Sequence, residues 1–146
     1  ETDVLAIVKD TIRPLSAQVQ AFILQLHQRY LNKGLACAVE IKGFHIYIKY
    51  SLKRKDFWGI NVSLNNSYYI NVKPTKTHEY ADTVQTFSPI LQELISKGYG
   101  CGRKREIGHC DGGCHGLRIS LDDSILDLRD DMLTWFDLEV TCRQKK

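Results

Sequence analysis

Between Lys97 and Ile119 the chain places three of its five cysteines, Cys101, Cys110 and Cys114, and two of its five histidines, His109 and His115. Seven of its ten glycines fall in the same stretch. Thiolate sulfur and imidazole nitrogen are the ligands that tetrahedral zinc prefers, and glycines let the backbone wrap closely around a small ion. Cys101, Cys110 and Cys114, with His109 or His115 as the fourth ligand, would therefore make a structural zinc site. The ion would order a segment that has little apolar side chain to bury. The spacing agrees only in part. Three residues separate Cys110 from Cys114, inside the usual interval of about two to four. Eight residues separate Cys101 from that pair, and Cys37 or Cys142 would join the set only if the fold carried it there. An iron–sulfur cluster is disfavoured, because the second half of a cysteine ladder is missing.

The same segment admits two other chemistries. Arg103, Lys104, Arg105 and the nearby histidines would lower a cysteine pKa, and a disulfide between Cys110 and Cys114 would make the loop redox-active. The competing reading is a set of inert, partly buried thiols. Gly98-Tyr-Gly-Cys-Gly102 follows a predicted helix rather than opening one and lacks the Lys-Ser/Thr of a phosphate loop. Its amides with Arg103 and Arg105 would at most hold a small anion or contact an acidic partner.

A fourth set lies earlier in the chain. On one predicted strand His45, Tyr47 and Lys49 share a face, and on another Tyr69, Asn71 and Lys73 do. Aromatics interleaved with basic residues on an open sheet can stack bases and hold phosphates. The structural alternative, preferred on helix content, is that a helix packs over Tyr47 and Tyr69. His27 reads as a boundary histidine of a helix, Ser88 and Ser124 as helix-start residues, and Asp122 and Asp123 as first-turn acids. No spacing suggests a nucleophile with its base and acid, so the reading leans away from an enzyme.

The elements that must position these residues read as follows. Residues 3–12 form a short helix ended by the approach to Pro14. Ser16 then caps a second helix whose Val19, Phe22, Ile23, Leu26 and Tyr30 make one apolar stripe, with Gly34 as its C-cap. Cys37, Val39 and Ile41 alternate in a strand that turns at Lys42-Gly43. The return strand carries Phe44, Ile46, Ile48 and Tyr50 on one face. After Lys53-Arg54-Lys55, Trp58, Ile60, Val62 and Leu64 alternate, and so do Tyr68, Ile70 and Val72 before Pro74. The sum is a four-stranded antiparallel meander with one strongly apolar face. A helix is expected over Thr77 to Phe87, another from Ser88-Pro89 to Gly98, a short returning strand at Leu117 and Ile119, and a closing helix from Asp122 or Asp127 to Thr141.

Composition sets the class. The chain has 146 residues, 43% hydrophobic and 25% charged, enough for one core without disulfide staples. No apolar run is long enough for a membrane span, and no signal-peptide pattern opens the chain. An odd cysteine number argues against a secreted disulfide framework and for a reducing cytoplasm. The net charge is +3, too mild to demand a polyanionic partner. It conceals an excess of three basic residues over Lys97–Ile119 and of six acidic ones over Ser120–Val140. Adjacent segments of opposite sign can pair within the fold.

The run Lys-Gly-Tyr-Gly-Cys-Gly-Arg-Lys-Arg-Glu-Ile-Gly-His-Cys-Asp-Gly-Gly-Cys-His-Gly-Leu-Arg-Ile resembles that of a family of small, uncharacterised Gram-positive bacterial proteins. The similarity extends through Glu40-Ile-Lys-Gly-Phe44 and Trp58-Gly-Ile60. More loosely, the order of helix, antiparallel sheet and closing helices is similar to YdhG-like domains, some of which carry an iron-chaperone label. No motif matches that label, and neither resemblance supplies a catalytic residue. The expectation is a single α+β domain over 1–146, with the Gly/Cys-rich loop 98–118 inserted before the C-terminal helix. It would be a binding or regulatory module with a zinc-stabilised loop. The alternatives are a thiol-dependent redox protein or enzyme using that loop, and a single-stranded nucleic-acid binder using Tyr47, Lys49, Tyr69 and Lys73.

Overall fold

The computed structural model describes residues 4–63, 67–97 and 117–144. Helix α1 (Val4–Thr11) buries Val8 and gives way before Pro14. Helix α2 (Ala17–Asn32) starts where Ser16 Oγ accepts from the Val19 N–H, at 3.3 Å. It buries Val19, Phe22, Ile23, Leu26 and Tyr30, the stripe its 3.6-residue periodicity predicts, together with His27. Lys33 is the C-cap and Gly34 follows at φ +100°, a left-handed position that only glycine takes cheaply.

Four strands follow, β1 (Ala36–Lys42), β2 (His45–Leu52), β3 (Lys55–Val62) and β4 (Tyr68–Val72), each antiparallel to the one before. Two details differ from expectation. The first turn is Gly43-Phe44, because Lys42 pairs with His45. Gly43 takes φ +59°, and Phe44, expected on the apolar face, stands 79% exposed at the tip. The register also slips between Tyr50 and Ser51, a bulge that leaves Phe57 as the extra residue. Phe57 is thereby buried against Phe136, 4.9 Å between ring centres.

The expected helix over Thr77 to Phe87 is instead a 3-10 turn (Thr77–Glu79) and the single turn α3 (Ala81–Val84), separated by Tyr80 at φ −133°. The cause is a buried carboxylate on the last helix. Glu139 accepts the N–H groups of Thr75 and Lys76 (2.9 and 3.3 Å) and the Tyr80 hydroxyl (2.6 Å). Trp135 Nε1 donates to the same hydroxyl, and Arg143 Nε closes the ion pair at 2.6 Å. These bonds outweigh the modest helix propensity of the segment.

Helix α4 (Pro89–Lys97) begins at Ser88, whose N–H donates to Asp131 at 2.8 Å. The sheet then gains a fifth strand, β5 (Leu117–Ser120), antiparallel to β4, giving the order β1-β2-β3-β4-β5. The four-stranded expectation is corrected here. Two apolar positions are too few to establish a strand by periodicity, yet Leu117 and Ile119 continue the apolar row of Val72 and Ile70. A 3-10 stretch (Asp123–Leu128), capped by Asp122 on the Ser124 N–H, precedes α5 (Arg129–Gln144).

All long helices feed one core. Val8, Phe22, Ile23, Tyr30, Leu91, Ile95, Trp135 and Phe136 join the sheet residues Ile48, Tyr50, Trp58, Ile60 and Ile70 in a single buried cluster. At its centre Tyr50 stacks on Trp58 at 3.9 Å, and Trp58 meets Phe136 at 5.7 Å. Tyr30 and Asp137, hydrogen-bonded at 2.9 Å, tie α2 to α5 beside it. No described helix is long and apolar enough to cross a membrane.

Candidate functional site

Alternation along β2, β3, β4 and β5 sends one set of side chains to the core and the other to the opposite face. Register fixes how that second set is arranged. Tyr47 stands opposite Asn61, Asn61 opposite Tyr69, and Tyr69 opposite Ser120. In the neighbouring row Lys49 faces Gly59, Gly59 faces Asn71, and Asn71 faces Arg118. The two tyrosines thus share one row a strand apart, with about 10 Å between their backbones.

The four residues expected to form this face, Tyr47, Lys49, Tyr69 and Lys73, line one cleft of about 370 Å³. Lys42, Asn61, Asn71 and Arg118 line it too. All of its described walls come from the sheet and its ends. The preferred reading of a helix packed over these tyrosines is not what the described residues show: Tyr47 and Tyr69 are only half-buried. The reason lies in the helices, whose apolar stripes all meet the other face.

Gly59 forms the floor. A Cβ placed there would stand 2.5 Å from the Ile48 carbonyl oxygen. The backbones of β2 and β3 therefore approach at a point where no side chain can rise, which deepens the cleft between Lys49 and Asn71.

Each tyrosine has a partner on its ring. The Arg118 guanidinium lies 4.8 Å from the Tyr69 ring centre, a cation–π contact. The His45 ring stacks on Tyr47 at 6.0 Å. Four cations line the cleft against Asp56, and a second acid, Glu40, stands at its rim. Glu40 pairs with both Lys42 (2.8 Å) and Lys49 (2.9 Å). Hydrogen bonds from Lys42 and then Lys49 hold its carboxyl down to about 2, so it stays charged under ordinary conditions. Lys73 approaches Asp56 at 4.0 Å. The face therefore carries a net positive charge with two built-in competitors for its lysines.

Arg118 was missed by sequence reasoning, since the short strand expected at Leu117 and Ile119 was not counted in the sheet and its outward residue had no neighbours. Asn61 carried no signal of its own until the register set it between two tyrosines.

The other expected site residues fall elsewhere. Cys101, His109, Cys110, Cys114 and His115, and the basic contacts Arg103 and Arg105, lie outside the described residues. No cluster of three metal-ligating side chains occurs among the described residues. Cys37 lies half-buried on β1 and Cys142 is buried near the end of α5. Burial pushes the Cys37 thiol up, partly offset by its hydrogen bond to Tyr50. Tyr50 is likewise pushed up, chiefly by burial, and its hydroxyl lies 2.6 Å from His27 Nδ1. Burial holds His27 below its ordinary value. A protonated thiol and a neutral phenol make an inert polar core rather than an activated nucleophile.

In comparison with known proteins, the chain matches no family model. No curated protein and no solved structure matches it.

Proposed function

We propose that this domain is a binding module that takes up single-stranded nucleic acid on the open face of its sheet. The observation that supports the reading is the convergence of Tyr47, Lys49, Tyr69, Lys73 and Arg118 on one cleft lined by no described helix. Bases of any sequence have a π-face, so tyrosines set one strand apart can stack on successive or splayed bases. Lys42, Lys49, Lys73 and Arg118 meet the phosphates, and the Asn61 and Asn71 amides offer both donors and acceptors to base edges. Arg118 stacked on Tyr69 fits the same use, because a base added to the ring extends an existing stack.

The test is anisotropy with a fluorescein-labelled single strand of mixed sequence. Y47A and Y69A should each weaken binding about 5- to 150-fold, the range for one lost base stack. Engagement of four cations gives a slope of log K against log salt of about −3. Affinity that is indifferent to both tyrosines, or a slope near zero, would contradict the proposal.

A further inference from the structure

The β2–β3 hairpin turns on Lys53 and Arg54, at φ 53° and 68°. Leu52 pairs with Lys55, so this is a two-residue loop with both central residues left-handed, a form that selects Asn-Gly. The preceding hairpin, Gly43-Phe44, needs only one left-handed residue and supplies a glycine for it, Gly43 at φ +59°. A residue with a Cβ is disfavoured in this conformation. Lys53-Arg54 therefore costs stability and, in exchange, holds two cations at a defined place.

That place adjoins the cleft. Lys53, Arg54 and Lys55 are exposed, and the next residue, Asp56, lines the cleft. Lys73, another lining residue, sits at the same end, its N–H donating to the Phe57 carbonyl at 2.7 Å. Lys53 Nζ reaches the Arg143 carbonyl at 3.3 Å. The side chains of Arg54 and Lys55 have no ion-pair or hydrogen-bond partner among the described residues. From Tyr47 to Lys53 the strand runs about 20 Å. A ligand confined to the cleft would not touch the turn, and a longer polyanion would.

Resting on the single-strand reading, we propose that the Lys53-Arg54 turn is a backbone clamp. It holds the phosphates of a nucleic-acid strand whose bases lie on Tyr47 and Tyr69, so that the site discriminates by length.

The experiment uses labelled oligothymidylates of about 4 and about 12 nucleotides, spanning the sizes such sites accept. K53N/R54G installs the residues that the turn geometry favours. It should raise the urea midpoint, leave short-strand affinity within about twofold, weaken the long strand about tenfold and flatten its salt slope by about 1.4. K53Q/R54Q removes the charges but keeps the disfavoured turn, and should lose the same long-strand affinity with no gain in stability. Long-strand binding unchanged in both variants overturns the clamp while leaving the cleft in place. If Y47A/Y69A changes the binding of neither strand, the cleft reading itself falls, and the clamp with it.

Discussion

Glu40 holds the balance of charge at the cleft, since one carboxylate occupies two of the lysines that would meet a phosphate. E40Q removes that competition while keeping the side chain's shape. Affinity for a single strand should rise about two- to fivefold, the scale of an exposed ion pair, as read by anisotropy at fixed salt. Unchanged or weaker binding would mean that Lys42 and Lys49 do not face the ligand. His27 makes a different residue-scale prediction. Burial holds its folded pKa below the ordinary imidazole value, so between the two the unfolded chain binds a proton that the folded chain excludes. Stability is therefore greatest above that window and falls as pH drops through it. The surrounding groups, Tyr50 and Cys37, both stay neutral there. Urea midpoints from about pH 7.5 down to about pH 5.5 should show this fall in the wild type and a flatter profile in H27Q. Equal slopes would assign the acid sensitivity to other groups. The sequence marks His27 as a boundary position on α2, and it is in fact 3% exposed. Helical phase distinguishes a boundary from a buried position poorly, because the partner that buries His27 is Tyr50 on a strand 23 residues away.

At the scale of elements, the buried Glu139 holds the connection between β4 and α4. E139Q would leave the Arg143 guanidinium without its carboxylate partner and weaken every bond to residues 75, 76 and 80. The expected loss is about 3–5 kcal/mol by chemical denaturation, against about 0.5 kcal/mol or less for T141A on the exposed side of α5. A loss no larger than that of T141A would remove Glu139 as the reason Thr77 to Phe87 fails to become one helix. None of this was legible in the sequence. Glu139 is one acid among seven between Ser120 and Val140, and its partners before α4 lie 59 to 64 residues away. The strands were a different matter. Alternation over β2, β3 and β4 is long enough to reveal their period, and Ser16 and Gly34 punctuate α2 with side chains that have few other uses. The short strand expected at Leu117 and Ile119 is β5, but its place in the sheet is legible only after β4 is in position, because pairing rather than pattern seats a strand of four residues.

For the molecule as a whole, the apolar face of the sheet could be read from alternation alone, and the fate of the opposite face could not. That depends on where the helices go. Each long helix has one apolar stripe, and all of those stripes enter a single core, which leaves Tyr47 and Tyr69 to line a cleft. The zinc expectation rests on the types and spacing of Cys101, Cys110, Cys114, His109 and His115, outside the described residues. On that expectation, elemental analysis of protein purified under reducing conditions without chelator would find about one zinc per chain, lost in C101S, C110S or C114S. A metal-free protein would contradict it. The claim that most needs testing is the sheet face itself. An NMR titration of the amide-labelled protein with a single-stranded oligonucleotide examines every element at once. The account predicts shifts concentrated at Tyr47, Lys49, Asn61, Tyr69, Asn71 and Arg118, with α2 and α5 still. Shifts confined to the helices, or none at saturating strand, would contradict it.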